Sequence, residues 1–180
     1  RIRVALVGAG GRGRRVTQYA AESPGAEVVA VSDVYLPRMD EAEQQCGVKL
    51  RKYPDYRSVL DDPLIDGVVI ATPDHWHAPL ILEAVAAGKD VYCEKPCSMT
   101  ISESRALADT YRKYGRIYQA GTQRRNLPHF AFACELARNG YLGKLHTGEV
   151  AAPGPSYQRT YKKPTSAEPL SDEIDFEMWT

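Results

Sequence analysis

The sequence lacks an excess of charge of either sign, and it lacks any long apolar run. Lys and Arg total 23 of the 180 residues and Asp and Glu also total 23, so the formal net charge is zero. A balanced chain gives no electrostatic reason to expect a nucleic acid or an acidic membrane as partner. No apolar stretch reaches the ~18 residues that cross a bilayer. We therefore expect no nucleic-acid partner and no membrane partner.

Cysteine is scarce, and none of its positions forms a C-x-x-C pair. The four cysteines are Cys46, Cys93, Cys97 and Cys134. This spacing matches neither a zinc ribbon nor a disulfide-stapled domain. Because no cluster of further ligands accompanies Cys93 and Cys97, buried thiols are favoured there over a redox or metal pair. We expect no metal site.

Apolar segments alternate with amphipathic segments from residue 2 to residue 121. Strands are predicted at 2–7, 27–33, 48–53, 67–71, 90–93 and 117–120, and helices at 14–21, 37–45, 56–60, 77–87 and 102–114. This alternation predicts an α/β domain with a doubly wound parallel sheet, the Rossmann class, over residues 1–121. Residues 122–180, with a helix at 127–139 and a strand at 144–152, are expected to begin a second, incomplete α+β domain.

A glycine-rich turn follows the first predicted strand. Gly8, Gly10 and Gly13 fit the pattern G-x-G-x-x-G. The first glycine permits the tight turn, the second lets backbone approach a pyrophosphate, and the third lets the helix pack close to the sheet. The amides at the start of that helix then face the phosphates. Gly11 and Arg12, inside the motif, are candidate cofactor contacts as well. The alternative is a glycine-rich surface turn.

An acidic residue stands where this fingerprint requires one. Asp33 ends the second predicted strand, 20 positions after Gly13. Its carboxylate can accept hydrogen bonds from both hydroxyls of an adenosine ribose, and it would repel a 2′-phosphate. The sequence therefore favours NAD over NADP. Three basic residues leave NADP open because they can lie near the same pocket: Arg12, Arg14 and Arg38.

Four segments, in order and spacing, resemble the Gfo/Idh/MocA oxidoreductase family. They are residues 7–13 (VGAGGRG), 71–77 (ATPDHWH), 93–96 (CEKP) and 121–125 (GTQRR). Residues 175–179 resemble a further family segment in altered form. The resemblance implies an NAD-dependent oxidoreductase acting by hydride transfer on a sugar, cyclitol or related polyol. Members are about twice this length, so the chain is expected to be an N-terminal portion.

The resemblance assigns roles around the fifth strand. Lys95 stands at the carboxyl edge of the sheet, where its ammonium can stabilise the reacting oxygen of the substrate. Glu94 is implied beside the nicotinamide ribose, and the bond before Pro96 is expected to be cis. Gln123 matches a position that contacts the nicotinamide amide, and Arg125 matches a basic residue near the substrate. The alternatives are solvated surface charges.

Further roles fall on the segment after the fourth strand. Thr72 and Pro73 are implied to pass the ribose and pyrophosphate of the cofactor, and His77 matches a family histidine, with a packing role as the alternative. Asp74 replaces a common asparagine and is expected to cap the next helix. Trp76 is expected either to line the cofactor pocket or to fill the core.

The resemblance leaves part of the enzyme unaccounted for. The family's proton-accepting group lies in the second domain, and neither His129 nor His146 stands in the corresponding motif. The alternatives to a net oxidoreductase are an NAD-recycling glycoside hydrolase and a non-catalytic dinucleotide-binding module. The full-length protein is expected to be a homo-oligomer in the cytoplasm, or in the periplasm after removal of a signal upstream of Arg1. Tyr157, Tyr161, Lys162 and Lys163 are expected in a solvated linker.

Overall fold

A computed structural model describes residues 1–151 and 171–180. The strands are β1 (Ile2–Val7), β2 (Ala26–Ser32), β3 (Arg51–Tyr53), β4 (Gly67–Ile70), β5 (Asp90–Glu94) and β6 (Tyr118–Gly121). The helices are α1 (Gly11–Glu22), α2 (Pro37–Cys46), α3 (Arg57–Asp61), α4 (His77–Ala86), α5 (Ile101–Tyr114), α6 (Pro128–Arg138) and α7 (Phe176–Trp179). Short 3₁₀ turns occupy Asp74–Trp76 and Gln123–Asn126.

The six strands form one parallel sheet in the order β3-β2-β1-β4-β5-β6. The chain runs outward from β1 to β3 and then crosses back to β4, so the order reverses between β1 and β4. Ligands of such sheets bind outside the carboxyl ends of the strands at this reversal. Val7 of β1 lies opposite Ser32 of β2 and Ile70 of β4, so the three strands end at the same level. The predicted Rossmann fold is confirmed.

Both faces of the sheet are buried, as the apolar strands require. Ala5 and Val7 of β1 belong to a core cluster with α4 residues such as Ile81, whereas Leu6 belongs to a second cluster with Met39 of α2. This alternation follows from the period of two residues in a strand. Helices on both faces therefore hold β1 rigidly, and they fix the position at which the chain leaves it.

Two predicted boundaries are wrong by several residues. Helix α1 begins at Gly11 instead of residue 14, because the amide of Arg14 already donates to the carbonyl of Gly10 at 3.0 Å. Strand β3 begins at Arg51 instead of residue 48. Just before it, the amide of Leu50 donates to the Glu43 carboxylate at 2.8 Å, so this amide is not available to a neighbouring strand.

Two further expectations are wrong. Asp74 makes no side-chain cap; it opens the 3₁₀ turn, and Trp76 precedes α4. Residues 144–151 form no strand, and residue 152 lies outside the described residues. A strand requires a neighbouring strand to pair with, and no described residue pairs with this segment. Its apolar side chains are exposed, Val150 by 91% and Leu145 by 63%.

The described residues divide into two units, Arg1–Gly121 with Ser171–Thr180, and a second unit of which residues 122–151 are described. The sequence placed residues 171–180 in the second domain, whereas the structure packs them with the first unit, where Tyr35 forms an antiparallel bridge to Ile174. The second unit contains the 3₁₀ turn at Gln123–Asn126 and helix α6. Within residues 1–151 and 171–180, no helix is long and apolar enough to cross a membrane.

Candidate cofactor-binding site

The turn after β1 requires glycine at two positions. Gly8 has φ +90°, and a Cβ there would lie 2.6 Å from the amide nitrogen of Thr72. A Cβ on Gly13 would overlap the carbonyl oxygen of Gly8 and would come within 3.2 Å of Ala71. Both glycines therefore allow the loops after β1 and β4 to pack against each other, which brings the start of α1 to the carboxyl edge of the sheet.

At Gly10, neither the backbone conformation nor internal packing requires a glycine. Its φ of −63° suits any residue, and a Cβ built on it meets nothing within 4 Å. No internal packing demands glycine there, yet Gly10 lines a cavity at the edge of the sheet. Helix α1 begins next to it with no side-chain cap and no acidic residue in its first turn. Its first amides are thus left to bind an anion.

Asp33 follows β2 and is buried, with 7% of its surface exposed. Its Oδ2 accepts a hydrogen bond from the amide of Ala9 at 2.6 Å, and its Oδ1 accepts one from the amide of Tyr35 at 2.8 Å. A carboxylate has about four acceptor sites, so both oxygens can accept further bonds. The two amides orient the carboxylate beside the glycine turn, and Asp33 lines the same cavity as Gly10.

The cavity has a volume of about 230 Å³ and lies at the reversal between β1 and β4. Thr72 and Pro73, which follow β4, line one side of it. The Oγ1 atom of Thr72 is buried and has no hydrogen-bond partner among the described residues. An unpaired buried hydroxyl costs about 1–3 kcal/mol. The site therefore contains a polar atom that a ligand can satisfy.

The three basic residues considered at this site have different surroundings. Arg12 pairs with Glu94, with Nη2 at 2.7 Å from Oε1. Arg14 donates to the carbonyl of Ala9 at 2.9 Å and forms a salt bridge with Glu41. Of the three, Arg38 alone lines the cavity.

Glu94 lies at the end of β5 and is 5% exposed. Its Oε1 accepts from Arg12 Nε at 2.8 Å and from the Tyr92 hydroxyl at 3.1 Å. Partial burial lowers the pKa of Arg12, but the hydrogen bond and charge of Glu94 outweigh it and raise that pKa above its ordinary value. Burial and the same carboxylate raise the pKa of Tyr92. All these donors use Oε1, so Oε2 has no partner among the described residues.

Gly121, at the end of β6, makes this cluster possible. A Cβ there would lie 2.9 Å from both Glu94 Oε1 and the hydroxyl of Tyr92. The structural roles of Gly121 and Tyr92 were not predicted from the sequence. The register of β5 and β6, which sets Glu94 opposite Gly121, is the signal that could have revealed them.

The loop after β5 contains the predicted catalytic residue. Lys95 follows β5 directly; its side chain is exposed and bonds to no described residue. The Lys95–Pro96 bond is cis, as expected. His77 is 1% exposed; its Nδ1 lies 2.6 Å from the carbonyl oxygen of Pro96 and its Nε2 lies 3.0 Å from that of Thr72. His77 thus joins the loops after β4 and β5 and is absent from the lining of the cavity.

The other described residues singled out from the sequence are absent from the lining of the cavity. Gln123 and Arg125 belong to the second unit, where both are exposed in a 3₁₀ turn. Cys93 is buried and Cys97 is half-buried, and burial raises the pKa of the Cys93 thiol. Among the described residues, no group of three or more potential metal ligands lies together. The predicted linker residues lie outside the described residues: Tyr157, Tyr161, Lys162 and Lys163.

Aromatic and apolar residues without an assigned contact to the cofactor also line the cavity. Tyr56 is buried and donates to Glu83 at 2.8 Å, and burial together with this carboxylate raises the pKa of Tyr56 to about 12. Trp76 both lines the cavity and packs against the core, so the two expectations for it hold together. Met178 and Trp179 complete the lining from the C-terminal segment.

The uncapped helix, the oriented carboxylate and the unpaired hydroxyl meet at the reversal of a doubly wound sheet, which defines a dinucleotide-binding domain of the Rossmann class. A family model described as an oxidoreductase family with an NAD-binding Rossmann fold matches residues 2–122. The chain belongs to this family, Gfo/Idh/MocA, and the resemblance inferred from four motifs is confirmed.

Relatives agree with this assignment. The chain is 35% identical over 147 residues to the rhizopine catabolism protein MocA of Rhizobium meliloti, covering 81% of this chain and 45% of that protein. It is 33% identical over 148 residues to scyllo-inositol 2-dehydrogenase (NAD(+)) of Bacillus subtilis, covering 79% and 42%. The chain thus spans less than half the length of these relatives.

Solved structures include a similar domain with a cofactor. The scyllo-inositol dehydrogenase from Lactobacillus casei with bound NAD(H) and scyllo-inositol matches with a TM-score of 0.73 and 27% identity. The match covers 79% of this chain and 43% of that one. A myo-inositol 2-dehydrogenase from Lactobacillus plantarum matches with the same TM-score and identity, covering 80% and 43%.

Proposed function

We propose that the chain is the cofactor-binding portion of an NAD-dependent oxidoreductase that acts on a sugar, cyclitol or related polyol. The observation that carries the proposal is the cavity between Gly10, Asp33 and Thr72, beside the uncapped start of α1. Relatives named as inositol dehydrogenases support the substrate class.

The residues at the edge of the sheet suit NAD. The first amides of α1, next to Gly10, would hold the pyrophosphate, and Asp33 would accept the adenosine ribose hydroxyls. The hydroxyl of Thr72 would donate to the same ligand and so gain the partner that it lacks. NAD, when bound, supplies a ring carbon that accepts a hydride from the substrate.

The surroundings of Asp33 support NAD over NADP. A 2′-phosphate would face this buried carboxylate, and placing two negative charges next to each other costs several kcal/mol. Arg12 and Arg14 are already paired with carboxylates, which leaves Arg38 as the basic residue in the cavity. One exposed guanidinium offsets only part of this repulsion.

The substrate side of the proposal rests on the loop after β5. Lys95 is exposed at the carboxyl edge of the sheet, and its ammonium would donate to the reacting oxygen of the substrate and stabilise negative charge there. Oε2 of Glu94 is free of described partners and would accept from the nicotinamide ribose. Gln123 and Arg125 would contact the nicotinamide amide and the substrate. The group that takes the hydroxyl proton, and the contacts of a homo-oligomer, would come from the rest of the protein.

Calorimetric titration of the chain with NAD and with NADP tests the cofactor proposal. We expect NAD to bind more tightly. Asp33→Asn removes the negative charge, so the ratio of the two affinities should fall by roughly tenfold or more, equivalent to about 1.4 kcal/mol. The ratio is the readout because the NH2 group of asparagine cannot accept one of the two bonds from Ala9 and Tyr35, a loss that affects both cofactors. Asp40→Asn in α2 is the control, because it removes the same charge from an exposed residue outside the cavity. Absence of NAD binding would overturn the proposal.

A further inference from the structure

The segment Ser171–Thr180 is anchored at the point where the chain leaves Asp33. The amide of Leu36 donates to the carbonyl of Glu173 at 3.0 Å, and the amide of Asp175 donates to the carbonyl of Val34 at 2.9 Å. These bonds flank an isolated antiparallel bridge between Ile174 and Tyr35, in the loop that follows β2. One end of the segment is therefore fixed at the β2 side of the cavity.

The other end of the segment is tied to the loop after β4. The carboxylate of Asp175 accepts from the amide of Met178 at 3.0 Å and begins the single turn α7. The carbonyl oxygen of Trp179 then accepts from the indole nitrogen of Trp76 at 3.4 Å and lies 3.2 Å from Nε2 of His75. The segment thus crosses from one side of the cavity to the other.

The crossing adds apolar surface to the cavity. Met178 and Trp179 line it together with Tyr56, Trp76 and Leu80. A volume of about 230 Å³ is below the ~300–1,000 Å³ of sites that hold a whole drug-sized ligand. The enclosed part therefore suits one end of a dinucleotide, and its apolar, aromatic lining suits a flat base.

We propose that Met178 and Trp179 form the outer wall of an adenine subsite. The inference rests on the proposed function, because it takes Asp33 as the acceptor for the adenosine ribose. The adenine is joined directly to that ribose, so it must lie within one sugar's reach of Asp33, in the apolar part of the same cavity. Trp179 and Trp76 both line this cavity, and bases stack on aromatic side chains regardless of their hydrogen-bonding pattern.

This wall has a consequence for affinity. Removing an aromatic ring that stacks on a base costs about 1–3 kcal/mol, which corresponds to roughly 5- to 150-fold in affinity. The loss should affect every ligand that carries adenosine and spare ligands that carry only the nicotinamide half. A segment that instead filled the base subsite would have the opposite effect, since its removal would tighten binding.

Fluorescence tests the geometry with the Trp179 ring in place. The sequence has two tryptophans, Trp76 and Trp179, so Trp76→Phe leaves Trp179 as the sole indole. The variant loses the bond from Trp76 to the carbonyl of Trp179, while the contact of that carbonyl with His75 at 3.2 Å is kept. We expect ADP-ribose to quench the emission of this variant and nicotinamide mononucleotide to leave it unchanged. Nicotinamide mononucleotide is used in its oxidised form because a reduced nicotinamide ring absorbs tryptophan emission. Binding of ADP-ribose, measured by calorimetry, without any change in emission would overturn the inference.

Calorimetry on variants gives the second readout. Trp179→Ala should weaken the binding of NAD and of ADP-ribose about fivefold or more, whereas Trp179→Phe should keep most of the affinity. The control is Glu177→Gln, in the same turn but outside the lining of the cavity, and its affinity should match that of the unmodified chain. Unchanged or tighter binding by Trp179→Ala would overturn the inference and leave the proposed function standing. If the unmodified chain bound no NAD, the proposed function would fail and the inference would fall with it.

Discussion

Replacing Thr72 by valine should change stability and cofactor affinity in opposite directions. The Oγ1 of Thr72 is buried without a partner among the described residues, and valine removes it while keeping the shape of the side chain. Because an unpaired buried hydroxyl costs about 1–3 kcal/mol, Thr72→Val should raise the free energy of unfolding by about 1 kcal/mol or more. For a chain of this size that corresponds to roughly 2–4 °C in Tm per kcal/mol.

The same substitution should weaken NAD binding. A hydrogen bond to a charged group such as a phosphate contributes about 1.5–3 kcal/mol, so the affinity should fall roughly 10- to 150-fold. Chemical denaturation without ligand and calorimetric titration with NAD measure the two effects on one sample. A destabilised Thr72→Val variant, or one that binds NAD as tightly as the unmodified chain, would refute the reasoning.

Thr17 provides the matched control. It is fully buried in α1, and its hydroxyl donates to the carbonyl of Gly13 at 2.9 Å. Thr17→Val therefore removes a satisfied hydroxyl, and a net loss of about 0.5–1.5 kcal/mol is expected in place of a gain. Thr17 does not line the cavity, so the affinity for NAD should stay near that of the unmodified chain.

Three further predictions concern the site and its surroundings. Gly10→Ala should keep the stability of the chain and weaken NAD binding, because its Cβ would meet no protein atom. Gly121→Ala should instead lower the free energy of unfolding by about 1–3 kcal/mol, because its Cβ would press on Glu94 and the hydroxyl of Tyr92. Denaturation measures the first quantity and calorimetry the second, and a destabilised Gly10→Ala would contradict the account. The pKa of Tyr56 is raised from 10.0 to about 12, so its contribution to stability is complete below pH 10 and is lost as the pH rises from 10 to 12. The decline in stability measured by denaturation between about pH 10 and pH 12 should be smaller in Tyr56→Phe, and equal declines would count against this assignment. Lys95→Ala should leave NAD affinity unchanged and, in a protein that includes the substrate domain, abolish NADH formation with polyols; a variant that keeps its turnover would remove Lys95 from the catalytic role.

The parts of the site that follow from local spacing were predictable. The glycine motif and the acidic residue after β2 depend on short stretches of chain, and alternation of strands with helices leads directly to the parallel sheet. Gly10 is the clearest case, because its place in the motif implied an empty space that the structure contains. Short-range pattern thus identified the edge of the sheet at which the cavity lies.

What the sequence could not predict depends on contacts between distant residues. Arg12 and Glu94 are 82 positions apart, so their ion pair follows only from the sheet order, and it removes Arg12 from the basic residues available to a phosphate. Trp179 reaches the cavity only because the segment from residue 171 pairs with the loop after β2. Residues 144–151 were wrongly predicted as a strand because alternation of side chains cannot reveal whether a partner strand is present.

A crystal structure of the chain grown with NAD tests the central claim most directly. We expect the pyrophosphate within hydrogen-bond distance of the amides that begin α1, the adenosine ribose hydroxyls on Asp33, and Oγ1 of Thr72 bonded to the ligand. A dinucleotide bound away from these three groups, with the start of α1 empty, would contradict the account.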